Sequence, residues 1–272
     1  MATDTAAPIP FDASRWPAGQ REAVSVLQAW RASVETHTAR ALRDSAACVA
    51  AEEALLQGRI PEGIDERAYL AARAACEAHG VPVEWLARQV RAAWAFGGPA
   101  AFPDWEALQG FADDWAGSYG VILARLAGAT GRWQEPSARS LATGFFIVGR
   151  LLTLPADAAA GRIFIAASDL EKGGVSVEAL REGRPDEALR RVLWKQLIRA
   201  RDAFAQGQEL IRDLSRPYRG ELKRTWLGAL AVLDEVERRK FDLWTRPITL
   251  TPIQRFQLRI QAIIGKGASR KR

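Results

Sequence analysis

The chain has 272 residues, of which 48% are hydrophobic and 26% are charged. This balance is ordinary for a globular protein and argues against disorder. The length suits one large domain or two small ones. The net charge is +6, with the basic side chains dispersed among acidic ones, which predicts a mixed solvated surface. A face for anionic lipid or diphosphate is the alternative, and a nucleic-acid stripe is disfavoured.

The chain has only two cysteines and two histidines. Cys48 and Cys76 lack a C-x-x-C spacing, so we expect small core residues in a reducing compartment, not a disulfide framework or a metal site. The N-terminus has neither a basic region nor an apolar region of a secretory signal. No run of eighteen apolar residues occurs. These features predict a soluble, cytoplasmic protein, with peripheral membrane contact as an open alternative.

Nearly every periodic segment has helical spacing, and none alternates with a two-residue period, which predicts an all-α fold. We expect residues 1–15 to form a flexible lead, 16–264 a single helical domain and 265–272 a basic tail. The predicted helices, in chain order, cover residues 20–57, 65–79, 83–96, 104–127, 137–154, 185–214, 217–244 and 252–264, with short helical pieces at 168–171 and 176–182.

Several helix ends are predicted from single residues. Asp65, Asp104 and Ser137 are the types that cap helix N-termini. Gly80 is suited to the left-handed position after a helix. Pro155 is expected to end the helix that precedes it, because proline lacks the backbone N–H.

The stretch 141–170 begins as an apolar helical run that carries one guanidinium, Arg150, and is followed by one carboxylate, Asp157. A helix that is apolar all round is normally buried, and a buried guanidinium needs a partner. We expect both charges to point beyond the C-terminal end of this helix. A plainer interpretation makes Asp157 an N-cap or turn residue, and Arg162 the partner of a nearby carboxylate.

A second segment, FADDWAGSYG, combines small residues with two aspartates. Ala116, Gly117 and Gly120 share one helix face, which would let another helix or a ligand approach closely. Asp113 and Asp114 are adjacent and do not share a face. At most one of them points inward, where it could serve as a replacement metal ligand.

These segments resemble motifs of the squalene/phytoene synthase family. The segment that starts at Phe111 resembles the family's Y-x-x-x-x-A-G-x-x-G, with phenylalanine in place of tyrosine. The stretch from Gly149 resembles N-x-x-R-D-x-x-x-D followed by G-R-x-Y-x-P. Asp157 then falls on the second aspartate, Arg162 on the arginine after glycine, and Phe164 on the tyrosine. The resemblance covers about residues 80–264.

The resemblance implies a single-domain helical isoprenoid-synthase-like bundle around a central cavity, in which two prenyl diphosphates are joined head to head. Carboxylates on two helices would hold the Mg²⁺ that neutralises the leaving diphosphate. The candidate catalytic residues are then Asp157, Arg162 and Arg150. The candidate metal ligands are Asp157 and Glu35. The candidate cavity residues are Phe111, Gly117, Gly120, Phe146, Thr153 and Phe164.

The chain departs from the family pattern at the metal-binding positions. It contains no Asp-x-x-x-Asp in its 272 residues. Thr153 stands where the family has the first aspartate, and Leu152 stands where it has arginine. On the N-terminal helix only Glu35 could ligate Mg²⁺. These replacements predict lost or weakened magnesium–diphosphate chemistry, as in a pseudoenzyme.

Three functions remain in play. The first is a prenyl- or lipid-binding or assembly protein that needs no cofactor; a noncatalytic branch of the family is linked to assembly of respiratory complex I. The alternative is an active, magnesium-dependent prenyl transferase that condenses prenyl diphosphates head to head and holds diphosphate with arginines. The third is a helical scaffold without a cavity ligand. The expected partner is a prenyl diphosphate or another isoprenoid lipid, with a membrane or protein partner left open.

Overall fold

The structure is a computed structural model that describes residues 13–183 and 185–249. Every regular element within these ranges is helical. The predicted helix 252–264, the basic tail 265–272 and the first twelve residues of the predicted lead lie outside the described residues. The rest of that lead is a short 3₁₀ helix, Ala13–Arg15.

The helices follow one another with short connections. Two π-helical segments, Val34–Thr38 and Asp113–Gly117, continue α1 into α2 and α7 into α8. The α-helices are α1 Ala18–Ser33, α2 Ala39–Ala41, α3 Ser45–Leu56, α4 Glu66–Ala78, α5 Glu84–Arg91, α6 Trp94–Gly97, α7 Trp105–Ala112, α8 Ser118–Leu126, α9 Gln134–Ala159, α10 Ala167–Gly173, α11 Val177–Glu182, α12 Glu187–Asp213 and α13 Tyr218–Arg238.

The two longest helices, α9 and α12, pack along each other at the centre of the bundle. A glycine allows their close approach, because a Cβ added to Gly144 would lie 2.6 Å from the ring of Phe204. Helix α8 packs on α9 in a similar way. A Cβ on Gly120 would lie 2.6 Å from the Cβ of Ala142. Helix α9 is therefore central to the bundle, where it packs against α7, α8, α11, α12 and α13.

The predicted helix caps at two aspartates are confirmed. Asp65 accepts a hydrogen bond from the Ala68 amide at 3.0 Å, and Asp104 accepts one from Ala107 at 2.9 Å. Gly80 has a φ of 63°, which is the left-handed conformation predicted for it.

Pro155 does not end α9, although a proline inside a helix removes a hydrogen bond and costs about 3 kcal/mol. The helix continues to Ala159. Its last turn is held by tertiary contacts, since Leu154 and Ala158 are buried and Asp157 forms ion pairs. The interpretation of Asp157 as an N-cap or turn residue is therefore wrong.

Other boundaries also differ from the predictions. Ser137 is not a cap, because α9 begins at Gln134 and Ser137 is buried inside it. The predicted helix 20–57 is interrupted after α2, and Asp44 caps α3 by accepting a hydrogen bond from Ala47. The predicted helix 217–244 ends at Arg238, shortly before two residues with positive φ.

The two cysteines are small core residues, as predicted. Cys48 and Cys76 are free thiols with no exposed surface. Burial raises the pKa of Cys48 to about 11 and that of Cys76 to about 12. Both thiols are therefore neutral at physiological pH.

Candidate functional site

A cavity of about 520 Å³ lies inside the bundle, within the roughly 300–1,000 Å³ of small-molecule sites. Its walls come from α1, both π-helical segments, α6, α8, α9, α12 and α13. Most of the lining is apolar and suits a hydrocarbon chain. The apolar lining includes Leu123, Leu141, Phe145, Leu210 and Leu222.

Five charged side chains of the described residues line this cavity. Arg150 and Asp157 come from α9, and Arg162 comes from the loop that follows α9. Arg31 and Glu35 come from α1 and its π-helical continuation. The three predicted catalytic residues and the two predicted metal ligands therefore face one cavity.

Asp157 is enclosed by three partners and is only 3% exposed. Its Oδ1 accepts hydrogen bonds from Nε and Nη2 of Arg162 at 3.1 and 2.9 Å. Its Oδ2 accepts one from the Thr153 hydroxyl at 2.6 Å and one from Arg150 Nη1 at 3.3 Å. Both carboxylate oxygens are thus satisfied by this chain's own side chains.

The backbone around Arg162 is fixed by hydrogen bonds to two other segments. The Arg162 amide donates to the Asp157 carbonyl at 2.8 Å. Ala100 forms a parallel β-bridge with Arg162, in which its amide donates to Gly161 and its carbonyl accepts from Ile163. This bridge holds the guanidinium of Arg162 against the last turn of α9.

Arg150 lies partly over two aromatic rings. Its guanidinium carbon is 5.1 Å from the ring centre of Phe164 and 5.9 Å from that of Phe146. Cation–π attraction of this kind stabilises a desolvated guanidinium. The Nε of Arg150 is buried and has no hydrogen-bond partner among the described residues.

Arg31 also lines the cavity, although the sequence analysis did not single it out. It donates to the Trp115 carbonyl at 2.9 Å and stacks on the rings of Trp115 and Tyr119. Glu35 forms no ion pair with any described residue. The i, i+4 spacing of Arg31 and Glu35 was the available signal that both share a face.

The six predicted cavity residues divide into two groups. Gly120, Phe146 and Thr153 line the cavity. Phe111 and Phe164 do not belong to that lining and stack on each other, with ring centres 5.7 Å apart, in an aromatic cluster. Gly117 is also not a lining residue.

Gly117 instead leaves room for the carboxylate of Asp113. A Cβ at this position would lie 2.5 Å from Asp113 Oδ1. Asp113 accepts a hydrogen bond from Arg139 Nε at 2.6 Å. The small side chain predicted to admit a helix or ligand therefore serves an ion pair.

Asp113 and Asp114 do not line the cavity, so neither can replace a metal ligand there. Asp114 lies 3.5 Å from Nε of Arg88 and 3.9 Å from Nη1 of Arg91. Burial raises the pKa of Asp114 to about 6, although these two arginines act in the opposite direction. Both aspartates belong to a charged network outside the cavity.

The cavity does not fit a magnesium cluster. Mg²⁺ requires hard oxygen ligands, usually carboxylates together with substrate phosphates and waters. Among the described residues Glu35 and Asp157 are the two carboxylates that line the cavity, and Asp157 is already engaged by Arg150 and Arg162. No group of three His, Cys, Asp or Glu side chains suited to a metal occurs in the described parts of the chain.

Sequence relatives are phytoene synthases. The family model described as squalene/phytoene synthase matches residues 11–258. The chloroplastic phytoene synthase 3 of Zea mays is 32% identical over 90 residues, which are 33% of this chain and 21% of that protein. The 15-cis-phytoene synthase of Synechococcus elongatus is 29% identical over 114 residues, which are 41% of this chain and 37% of that protein. These pairwise matches span well under half the length of each relative.

Solved structures share the fold. The squalene synthase HpnC from Alicyclobacillus acidocaldarius superposes with a TM-score of 0.70 at 20% identity, covering 85% of this chain and 88% of that one. A dehydrosqualene synthase in complex with ligand gives a TM-score of 0.76 at 16% identity, covering 93% and 89%. The predicted all-α isoprenoid-synthase-like bundle is thereby confirmed. Because the family model spans most of its length, the chain belongs to the squalene/phytoene synthase family.

Proposed function

We propose that this protein is a noncatalytic member of its family that binds an isoprenoid lipid and does not condense prenyl diphosphates. The observation that carries the proposal is the enclosure of Asp157 by Arg150, Arg162 and Thr153. A carboxylate in this position forms part of a charged network instead of holding a metal.

This observation matters because the reaction of the family depends on bound metal ions. Ionisation of an allylic diphosphate leaves several negative charges on the leaving group, and bound metal ions must neutralise them. Glu35 is the one lining carboxylate of the described residues without an ion pair. A single carboxylate cannot assemble a multi-magnesium site on two diphosphates.

The cavity itself supports a lipid-binding role. A protein that had become only a scaffold would have little reason to keep about 520 Å³ of mostly apolar space. We also propose a cytoplasmic location, which the two free, buried cysteines support. Helix α9 is long and apolar enough to cross a membrane. However, more than half of its most apolar 18 residues are buried inside the fold, which is typical of a core helix. Any contact with a membrane or an assembly partner would then be peripheral.

The test is magnesium-dependent turnover of farnesyl and geranylgeranyl diphosphate by the purified full-length chain, with solvent extraction of products. An active phytoene synthase, assayed in parallel, is the positive control. We expect no condensed product. Product formed at enzyme-like rates, on the order of 1 s⁻¹ or more, and abolished by Asp157→Ala or Arg162→Ala would overturn the proposal. It would favour a transferase that holds diphosphate with arginines.

A further inference from the structure

The ionisable lining of the cavity has a small positive excess. Among the described residues, Arg31, Arg150 and Arg162 contribute three positive charges, and Glu35 and Asp157 contribute two negative ones, which sums to +1. One anionic group would neutralise this wall. A diphosphate would leave most of its charge uncompensated in a poorly solvated pocket, which is costly.

The excess positive charge comes from residues at the C-terminal end of α9 and in the loop that follows it. Arg31 and Glu35, from α1 and its π-helical continuation, contribute one positive and one negative charge, which sum to zero. Arg150, Asp157 and Arg162 are joined by ion pairs of 3.3 and 2.9 Å. This cluster of three residues therefore carries the net positive charge.

The two arginines of this cluster have donors that Asp157 does not use. Arg150 contacts Asp157 through Nη1, and its Nε is buried without a partner among the described residues. Arg162 contacts the same carboxylate through Nε and Nη2. A guanidinium has five N–H donors in a planar fork. N–H groups therefore remain on both side chains for a second acceptor.

The apolar lining continues from this cluster along one helix. The α9 residues that line the cavity run from Asp157 back to Ala138, a distance of roughly 28 Å at 1.5 Å per residue. Beyond Arg150 the lining residues of α9 are Gly149, Phe146, Phe145, Ala142, Leu141 and Ala138, all uncharged. A charged end followed by a long apolar wall is the shape of a single-chain amphiphile.

From this arrangement we infer that the cavity binds the ionised form of a long-chain isoprenoid carboxylic acid without a divalent cation. Its carboxylate would lie on Arg150 and Arg162, and its tail along α9. Guanidinium and carboxylate match in planar, bidentate geometry. A monophosphate carries about −1.5 to −2 charges, which is more negative charge than the net +1 of the cavity lining neutralises. The inference rests on the proposed function, because it names the head group of the proposed lipid.

Isothermal titration of the full-length chain in EDTA tests the inference with three matched ligands: farnesoic acid, farnesol and farnesyl diphosphate. We expect farnesoic acid to bind at least about tenfold more tightly than farnesol, as for a hydrogen-bonded charge pair. Added Mg²⁺ should not change this affinity. Equal binding of acid and alcohol, or tighter binding of farnesyl diphosphate with Mg²⁺ than of the acid, would overturn the inference.

Charge removal locates the head group. Arg150→Gln should weaken farnesoic acid binding about tenfold and farnesol binding less, so that the preference for the acid falls, while Arg150→Lys should restore part of that preference. Arg162→Gln is the second variant if Arg150→Gln fails to fold. The control is Arg73→Gln, which removes one positive charge at an exposed pair with Glu77. An unchanged acid affinity in the folded arginine variants would contradict the inference.

The two proposals fail in different ways. If neither farnesol nor farnesoic acid binds, the lipid-binding function itself is wrong. If both bind equally, the cavity holds an isoprenoid and only the assigned head group is wrong.

Discussion

Asp157 lies between two guanidiniums inside the last turn of α9, and this position decides what the carboxylate can do. Removing one partner of a buried ion pair leaves an uncompensated charge and costs about 3–5 kcal/mol. Removal of the Asp157 carboxylate would leave two arginines, Arg150 and Arg162, without this partner. The carboxylate should therefore stabilise the folded chain, even in the absence of any metal or ligand.

We expect Asp157→Asn to lower the free energy of unfolding by about 3 kcal/mol, measured by urea denaturation in EDTA. The matched control is Glu35→Gln, which removes the other lining carboxylate. Glu35 has no ion pair with a described residue, so this change should cost less than about 0.5 kcal/mol. Equal stability of wild type and Asp157→Asn would mean that the ion pairs contribute nothing to folding, against the role assigned here.

The raised pKa of Asp114 predicts that the free energy of unfolding decreases as the pH rises through about 6. Burial raises the pKa of Asp114 to about 6 in the folded state, where Arg91 and Arg88 lower it and Glu52 and Asp113 raise it. Because the folded-state pKa lies above the unfolded one, the stabilisation associated with proton binding is complete below the unfolded pKa. It is lost as the pH rises through about 6.

Asp114→Asn removes this titration. Relative to the variant, the wild type should lose about 1.4 kcal/mol of unfolding free energy between pH 5 and pH 7.5. Urea denaturation of both proteins at the two pH values measures the difference. The same stability gap at pH 5 and at pH 7.5 would show that Asp114 has an ordinary pKa.

The family resemblance predicted Asp157, Arg150 and Arg162 as residues of one site, and the plainer interpretation paired Arg162 with a nearby carboxylate without saying which one. The Thr153–Asp157 hydrogen bond follows from i, i+4 spacing once the helix is known to continue. The Arg162 contact does not, because it depends on the β-bridge to Ala100, which connects segments far apart in the chain. Local pattern could place these charges near one another but could not determine which of them pair.

At the scale of single helices, local rules succeeded where side chain and backbone are neighbours. The caps at Asp65 and Asp104 depend on a hydrogen bond three residues away. Pro155 was misjudged because its effect depends on packing. The contacts of the last turn of α9 outweigh the missing hydrogen bond. The two π-helical segments, Val34–Thr38 and Asp113–Gly117, had no sequence signal in this chain.

Close packing of α8 on α9 predicts opposite effects for two glycines. A Cβ on Gly120 would lie 2.6 Å from Ala142 Cβ and 2.9 Å from the Ala138 carbonyl oxygen, so Gly120→Ala should cost about 1–3 kcal/mol. Gly110 in α7 has no atom within 4 Å of such a Cβ. Gly110→Ala should stabilise the chain by up to about 1 kcal/mol.

Thermal unfolding of the two variants beside wild type measures both changes. A lower Tm for Gly120→Ala and a raised Tm for Gly110→Ala would match the packing. Equal changes at the two sites would show that helix propensity, and not the contact between α8 and α9, governs Gly120.

At the scale of the whole molecule, the helical periodicity and the resemblance predicted the all-α bundle and its cavity. The contents of the cavity wall were harder to predict. Phe111 and Phe164 stack in an aromatic cluster instead of lining the cavity. Arg31 does line the cavity, although it was not predicted to do so. Whether a side chain faces a cavity or the core depends on how helices far apart in sequence rotate against each other, which no local pattern specifies.

The cavity offers a test that separates ligand binding from folding. Leu123 of α8 is half-buried and lines the apolar part, so Leu123→Trp would place a larger ring in open space without displacing a packed neighbour. We expect the Tm to stay within about 3 °C of wild type, corresponding to less than 1 kcal/mol. Affinity for farnesoic acid should fall at least about tenfold, because the tail and the indole would compete for the same volume.

Leu70→Trp is the matched control, since Leu70 is 43% exposed and is not a cavity residue. It should leave both Tm and affinity unchanged. Loss of binding in Leu123→Trp alone, with the fold intact, would locate the ligand inside the bundle. Unchanged binding in both variants would mean that the lipid binds elsewhere on the protein, and that the space between the helices is not a ligand site.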